Sequence, residues 1–69
     1  MEKTMIVNGM MCAHCEARVK QALESMEGVC GVRVSHEKNE AVVTLEKAVP
    51  DDVLMKAVTD AGYEAAGIR

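Results

Sequence analysis

Two hydrophobic periods take turns along the chain. From Lys3 to Asn8, Met5 and Val7 fall on one side and Thr4, Ile6 and Asn8 on the other, which predicts a strand that Gly9 ends. From Ala13 or His14 the spacing becomes helical. Cys15, Val19, Ala22, Leu23 and Met26 form one stripe, Glu16, Arg18, Lys20, Gln21 and Glu24 turn outward, and Gly28 reads as a C-terminal cap. Val29 to His36 returns to strand character, with Cys30, Val32 and Val34 alternating against Gly31, Arg33 and Ser35. Glu37-Lys38-Asn39-Glu40 is a polar turn in which Asn39 suits a left-handed conformation, and Ala41, Val43 and Leu45 continue as the partner strand of a hairpin. Pro50-Asp51-Asp52 opens a second helix with proline and acidic residues at the end that favours both; its stripe is Leu54, Ala57, Val58 and Ala61. Gly62 closes that helix, and Tyr63 to Ile68 is a short last strand.

The resulting order, β-α-β-β-α-β, predicts an α+β fold, a ferredoxin-like split β-α-β sandwich whose four-stranded antiparallel sheet carries both helices on one face. The order also assigns positions. With the first strand running upward, the loop from Gly9 to Cys15, the Glu37 turn and the Gly62-Tyr63 turn all come out at the top. Tyr63 should therefore neighbour the loop, while Cys30 should lie at the opposite end.

Composition narrows the function. Sixty-nine residues make a single domain, 1–69, and a chain of this size buries only about 60% of its unfolded surface. That leaves little room for the cleft of an enzyme, and no Ser/His/Asp set, paired carboxylates or phosphate loop is present, so a binding module is expected. With no Phe or Trp and one Tyr, the core must be built from Val, Ala, Leu, Met and Ile. A net charge of -3 without a Lys/Arg cluster argues against nucleic acid and against an anionic membrane surface. The N-terminus lacks the apolar run of a signal peptide and no stretch is long enough to span a membrane, so a cytoplasmic protein is expected. Three cysteines, an odd number, fit a reducing compartment and a metal or redox role better than a disulfide framework.

The chemistry gathers in Gly9-Met10-Met11-Cys12-Ala13-His14-Cys15. Cys12 in the loop and Cys15 in the first helical turn lie near free backbone N–H groups and the positive end of the helix dipole, which favours thiolates. Two thiolates do not fill a tetrahedral zinc or iron site. They suit a soft ion content with two or three sulfur ligands, of which Cu(I) is the common intracellular case. Cys12, Cys15, Cys30 and His36 have a zinc-like spacing, but Cys30 and His36 lie about 20 Å apart on an extended strand, and the first helix carries the chain about 20 Å from the pair. Cys30 is therefore expected to be a small, partly buried residue, with oxidation to an intermolecular disulfide as a minor alternative. A C-x-x-C pair also serves dithiol oxidoreductases, yet this chain is short for a thioredoxin scaffold and has no Trp or Pro beside the pair.

The motif Gly9-Met10-Met11-Cys12-Ala13-His14-Cys15 resembles the G-M-x-C-x-x-C signature of the heavy-metal-associated domain family, and the whole chain is similar to its small bacterial copper chaperones. The similarity runs over residues 3 to 68 and includes Glu27-Gly28-Val29 and Asp60-Ala61-Gly62-Tyr63-Glu64. The resemblance implies a cytoplasmic carrier that binds Cu(I) through Cys12 and Cys15. It would pass the ion to the metal-binding domain of a copper-transporting P-type ATPase or to a copper-responsive regulator. Exposed, bridging thiolates also allow a chain that is monomeric when apo to form a copper-bridged homodimer at high loading. The resemblance also implies that Met10 packs beneath the loop without ligating, and it matches Tyr63 to a tyrosine next to the metal loop. Met11 fills a position usually held by a smaller or polar residue, and Cys30 has no counterpart. His14 has three readings: a tuner of the thiols, a third ligand, or a solvated side chain. Within the family, Hg(II) and Zn(II)/Cd(II) domains and the N-terminal domain of a larger pump are the alternatives. Mercuric-ion proteins are periplasmic and enter with a signal peptide, and zinc-type domains often place an acidic residue beside the first cysteine, where this chain has Met11 and Ala13; both points favour Cu(I).

Overall fold

A computed structural model describes all 69 residues. The elements are β1 (Glu2–Asn8), α1 (Ala13–Glu24), β2 (Val29–Ser35), β3 (Glu40–Leu45), α2 (Asp51–Asp60) and β4 (Glu64–Ile68). The strands form one antiparallel sheet in the order β2-β3-β1-β4. This is the expected α+β arrangement, with β1 and β3 central and β2 and β4 at the edges.

The alternation read from β1 and β3 is the one that buries side chains. Met5, Val7, Ala41 and Val43 are fully enclosed, and Val19 and Leu23 of α1 and Leu54 and Val58 of α2 close over them. The core has 12 members, none larger than Met or Leu, and no polar side chain is buried in it. Each such Val, Leu or Met contributes about 1.5–3 kcal/mol of hydrophobic stabilisation. Lys3 ties the start of α2 to β1, donating to the Val49 carbonyl at 3.0 Å and pairing with Asp51.

The turns follow from particular residues. Asn39 has φ 54 and makes the β2–β3 hairpin turn, as its amide side chain suits it to do. Gly62 has φ +97 and ends α2 in a Schellman arrangement, in which the Gly62 N–H donates to the Thr59 carbonyl at 3.0 Å and the Tyr63 N–H to that of Val58 at 3.3 Å. That turn sets the direction in which Tyr63 leaves the helix.

Two expectations are corrected. Gly28 does not cap α1, which stops at Glu24 with Ser25 as its C-cap. Instead Gly28, at φ +95, is the third residue of a turn closed by the Val29 N–H to the Met26 carbonyl at 3.3 Å. The intervening Met26 packs against the core and draws the chain out of the helix before the glycine is reached. Cys30 does not share an inward face with Val32 and Val34. A bulge between Val29 and Gly31 resets the alternation, so Val29 packs inward and Cys30 is exposed, its thiol 3.5 Å from the Thr44 carbonyl.

Candidate metal centre

Gly9 ends β1 with φ +96, a left-handed conformation that turns the chain away from the sheet. The Tyr63 ring lies beside it, 3.9 Å from a Cβ position, an ordinary packing distance, so it is the backbone conformation that calls for glycine here. Met10 drops into the core with 5% exposure, anchoring the loop from below as the resemblance implied. Met11 faces outward at 85% exposure. Cys12 is the N-cap of α1, in extended backbone conformation, and its carbonyl accepts from the N–H groups of Cys15 at 3.0 Å and Glu16 at 3.2 Å. The two cysteines therefore occupy the cap and the third residue of the helix, on the side from which free backbone N–H groups emerge.

They are not equivalent. Cys12 is exposed and Cys15 half-buried. The Cys15 thiol is lowered from the ordinary 9.0 to about 7, chiefly by the Tyr63 hydroxyl, then by the backbone N–H of Met11, with smaller help from the side chain and backbone of Cys12; partial burial opposes these. The same neighbourhood pushes the Tyr63 phenol up, because the nearby Cys15 sulfur favours its protonated form and partial burial adds to the effect. No side-chain hydrogen bond of full geometry joins Tyr63 to Cys15, so the hydroxyl acts as a neighbouring dipole that favours the charged thiolate. Tyr63 thus lies where the strand order put it, beside the loop.

His14 is exposed on the first turn of α1 and forms neither an ion pair nor a side-chain hydrogen bond with another residue. Nowhere do three Cys, His, Asp or Glu side chains converge, so the pair has no third protein ligand of these types and Cys30 and His36 complete no zinc site. Cys30 lies toward the far end of the sheet: Gly31 beside it pairs with Thr44, which pairs with Glu2 at the start of β1.

One contact at this end went unread in the sequence. Glu16, expected to point outward, is half-buried. Its carboxylate accepts from the His36 backbone N–H at 2.7 Å and faces the His36 Nδ1 at 2.6 Å. The backbone N–H first, and the imidazole second, hold the Glu16 carboxyl below its usual range. The residue following Cys15 is thereby tied to the end of β2. A helix-turn acid 20 residues from a strand-end histidine carries no local signal; only the predicted common position of the loop and the Glu37 turn hinted at the meeting.

Fold and site together define a small module whose chemistry is an open pair of thiols at a helix N-terminus. The chain belongs to the heavy-metal-associated domain family, whose model matches residues 4–64. It is 47% identical over 64 residues to the mercuric transport protein periplasmic component of Shigella flexneri, a match covering 91% of this chain and 70% of that protein. Among solved structures it is similar to a CopZ metallochaperone, with TM-score 0.90 and 28% identity over 96% of this chain and 100% of the other. It is also similar to the copper binding domain from HMA7, a P-type ATPase, with TM-score 0.89 and 33% identity over 97% of this chain and 93% of the other. The family places this chain among metal-binding domains; the mercuric and copper relatives differ on the metal.

Proposed function

We propose that this protein is a carrier, not a catalyst, that takes up a soft d10 cation on Cys12 and Cys15 and passes it to a partner by thiolate exchange. One observation carries the reading: two thiols on an open helix N-terminus, one of them already lowered to about 7, with no third acidic, histidine or cysteine ligand converging on them. Two-thiolate coordination satisfies a soft ion and leaves it open to attack by an incoming thiolate. Cys15, backed by Tyr63 and the loop amides, is the resident ligand. Cys12, exposed at the cap, is the one that yields first to the partner.

For the cargo, Cu(I) is the reading that the motif and the likeness to copper-handling structures support, with a cytoplasmic location and the metal-binding domain of a copper-transporting P-type ATPase, or a copper regulator, as recipient. Hg(II) is the second reading, favoured by a specific observation: identity to a mercuric transport protein, at 47%, exceeds that to the two copper-handling structures, at 28% and 33%. Both ions accept two thiolates, so the site chemistry serves either.

The test is an anaerobic titration of the reduced chain, and of Cys12→Ser and Cys15→Ser, with Cu(I) and Hg(II) against chelators of known affinity. One ion per chain, lost in both variants, is expected. Preferential binding of Zn(II), or tight binding that survives loss of either thiol, would overturn the carrier reading. Transfer of Cu(I), but not Hg(II), to an isolated ATPase metal-binding domain would decide between the two cargoes.

A further inference from the structure

We propose that the free edge of β2 is a docking site for an extended, acidic segment of a partner protein, which adds there as a fifth strand. β2 is a terminal strand of the sheet, so one row of its backbone N–H and C=O groups has no partner. Its bulge is confined to the Cys30 end, and from Gly31 to Ser35 the pairing with β3 is regular, leaving five residues in even register. The opposite edge is poorer: β4 is interrupted within its pairing to β1, where the register shifts between Ile6 and Val7.

Two hollows flank the β2 edge. A groove of about 440 Å³ separates it from α1, with Ala13 and Ala17 on the helix and Val32 and Val34 on the strand giving it apolar walls. A second hollow of about 230 Å³ lies beyond Arg33 and Val34, bordered by Ser35, Lys38 and Val42. A strand laid along β2 sends alternate side chains to the two sheet faces, one set into each hollow.

The charges select what fits. Of the eight Lys and Arg residues, Lys3, Lys47 and Arg69 are held in ion pairs, which leaves five without one. Three of those five, Lys20, Arg33 and Lys38, border these hollows. Of the two carboxylates in the same walls, Glu40 is paired with Arg69, while Glu16 keeps its charge and is turned onto the His36 backbone N–H and Nδ1. Glu37, in the adjacent turn, is the nearest unengaged acid by sequence. In a chain of net charge -3, this edge sets three cations without an ion pair against Glu16 and Glu37, a local excess of positive charge. It attracts carboxylates and opposes the pairing of two copies of itself. The groove begins at Ala13, between the two cysteines, so a strand seated in it ends beside the thiol pair. The proposal does not rest on which metal is carried.

The probe is an acetylated, amidated heptapeptide of alternating Glu and Val, titrated into the reduced, metal-free, ¹⁵N-labelled chain. Shifts and slowed hydrogen exchange are expected at alternate amides of Gly31 to Ser35 and along the first turn of α1. Binding should weaken as salt rises, and fall by about tenfold or more in K20E/R33E/K38E. The same peptide N-methylated at alternate residues keeps its charge but cannot complete the ladder, and should not bind. The inference is overturned if the β2 amides do not respond, if the N-methylated or the Lys/Val peptide binds equally well, or if these amides move with protein concentration alone, which would assign the edge to a second copy.

Discussion

Replacing Tyr63 by Phe removes one hydroxyl and keeps the ring that lies against Gly9. With its thiol at about 7, Cys15 is about half ionised at pH 7. The Tyr63 hydroxyl is the largest of the influences that lower it from 9.0, while the loop amides and Cys12 remain in the variant. Its loss therefore returns the thiol part of the way. A return of one unit leaves roughly a tenth of Cys15 as thiolate at pH 7, a fivefold drop, and a full return would leave roughly one per cent. The assay is the pH–rate profile of alkylation by iodoacetamide, resolved by peptide mass spectrometry so that Cys12, Cys15 and Cys30 are read separately. The inflection for Cys15 should lie near 7 in the parent and higher in Tyr63→Phe, and the two rates should converge at high pH, where both thiols are ionised. Convergence separates a change in ionisation from a change in access. Folding is linked with the same sign: because the native thiol is lowered, its contribution to stability is fully present above the unfolded value near 9 and is lost as pH falls toward 7. Identical profiles for parent and variant, or a parent Cys15 that titrates as an ordinary thiol, would refute the role given to Tyr63.

Glu16→Gln should flatten the acid limb of the stability curve. The depressed Glu16 carboxyl contributes above its usual 4.5, and that contribution is lost as pH falls through its lowered native value, so urea unfolding of parent and variant should converge at low pH. Leu23→Ala removes a fully buried side chain from the middle of the core and should cost about 2–5 kcal/mol in urea unfolding of the metal-free chain. Gly62→Ala places a side chain at φ +97 and should cost about 1–2 kcal/mol by the same measurement, with a shifted Tyr63 fluorescence reporting the altered exit from α2. Cys30→Ser should leave metal stoichiometry and affinity unchanged in the chelator competition while removing any disulfide-linked dimer formed on oxidation, since Cys30 is exposed at the far end of the sheet.

The fold was legible because each local signal agrees with the global one. The alternation of Met5 and Val7, the helical stripes through Leu23 and Val58, and the turn residues Asn39 and Gly62 all specify the same burial. The two misreadings share a cause, which is that a one-residue irregularity is decided by packing. Gly28 suits either a helix cap or a turn, and the inward pull of Met26 selects the turn. Cys30 sits at an even position in an alternating strand, and no residue in its neighbourhood announces the bulge that rotates it out. With Val29 and Val32 both able to face inward, a run of small apolar residues is consistent with two registers.

The site was legible to the extent that it depends on chain order, and opaque where it depends on side-chain reach. Strand order alone places Tyr63 beside the cysteines, and the family resemblance supplies Met10 as the buried anchor of the loop. Reach decides the rest. Nothing in the spacing distinguishes Glu16, bound to His36, from Glu24, which is exposed on the same helix. Yet this bond separates the two cysteines mechanically. Cys15 is followed at once by a residue tied to β2 and is backed by Tyr63, whose exit is set by the Gly62 turn. Cys12 is preceded by the exposed Met11 and is held by its own carbonyl at the cap. A pair of identical side chains with two residues between them thus has one braced and one exposed member. On the carrier function proposed above, that asymmetry suits stepwise ligand exchange, in which one metal–sulfur bond is replaced while the other still holds.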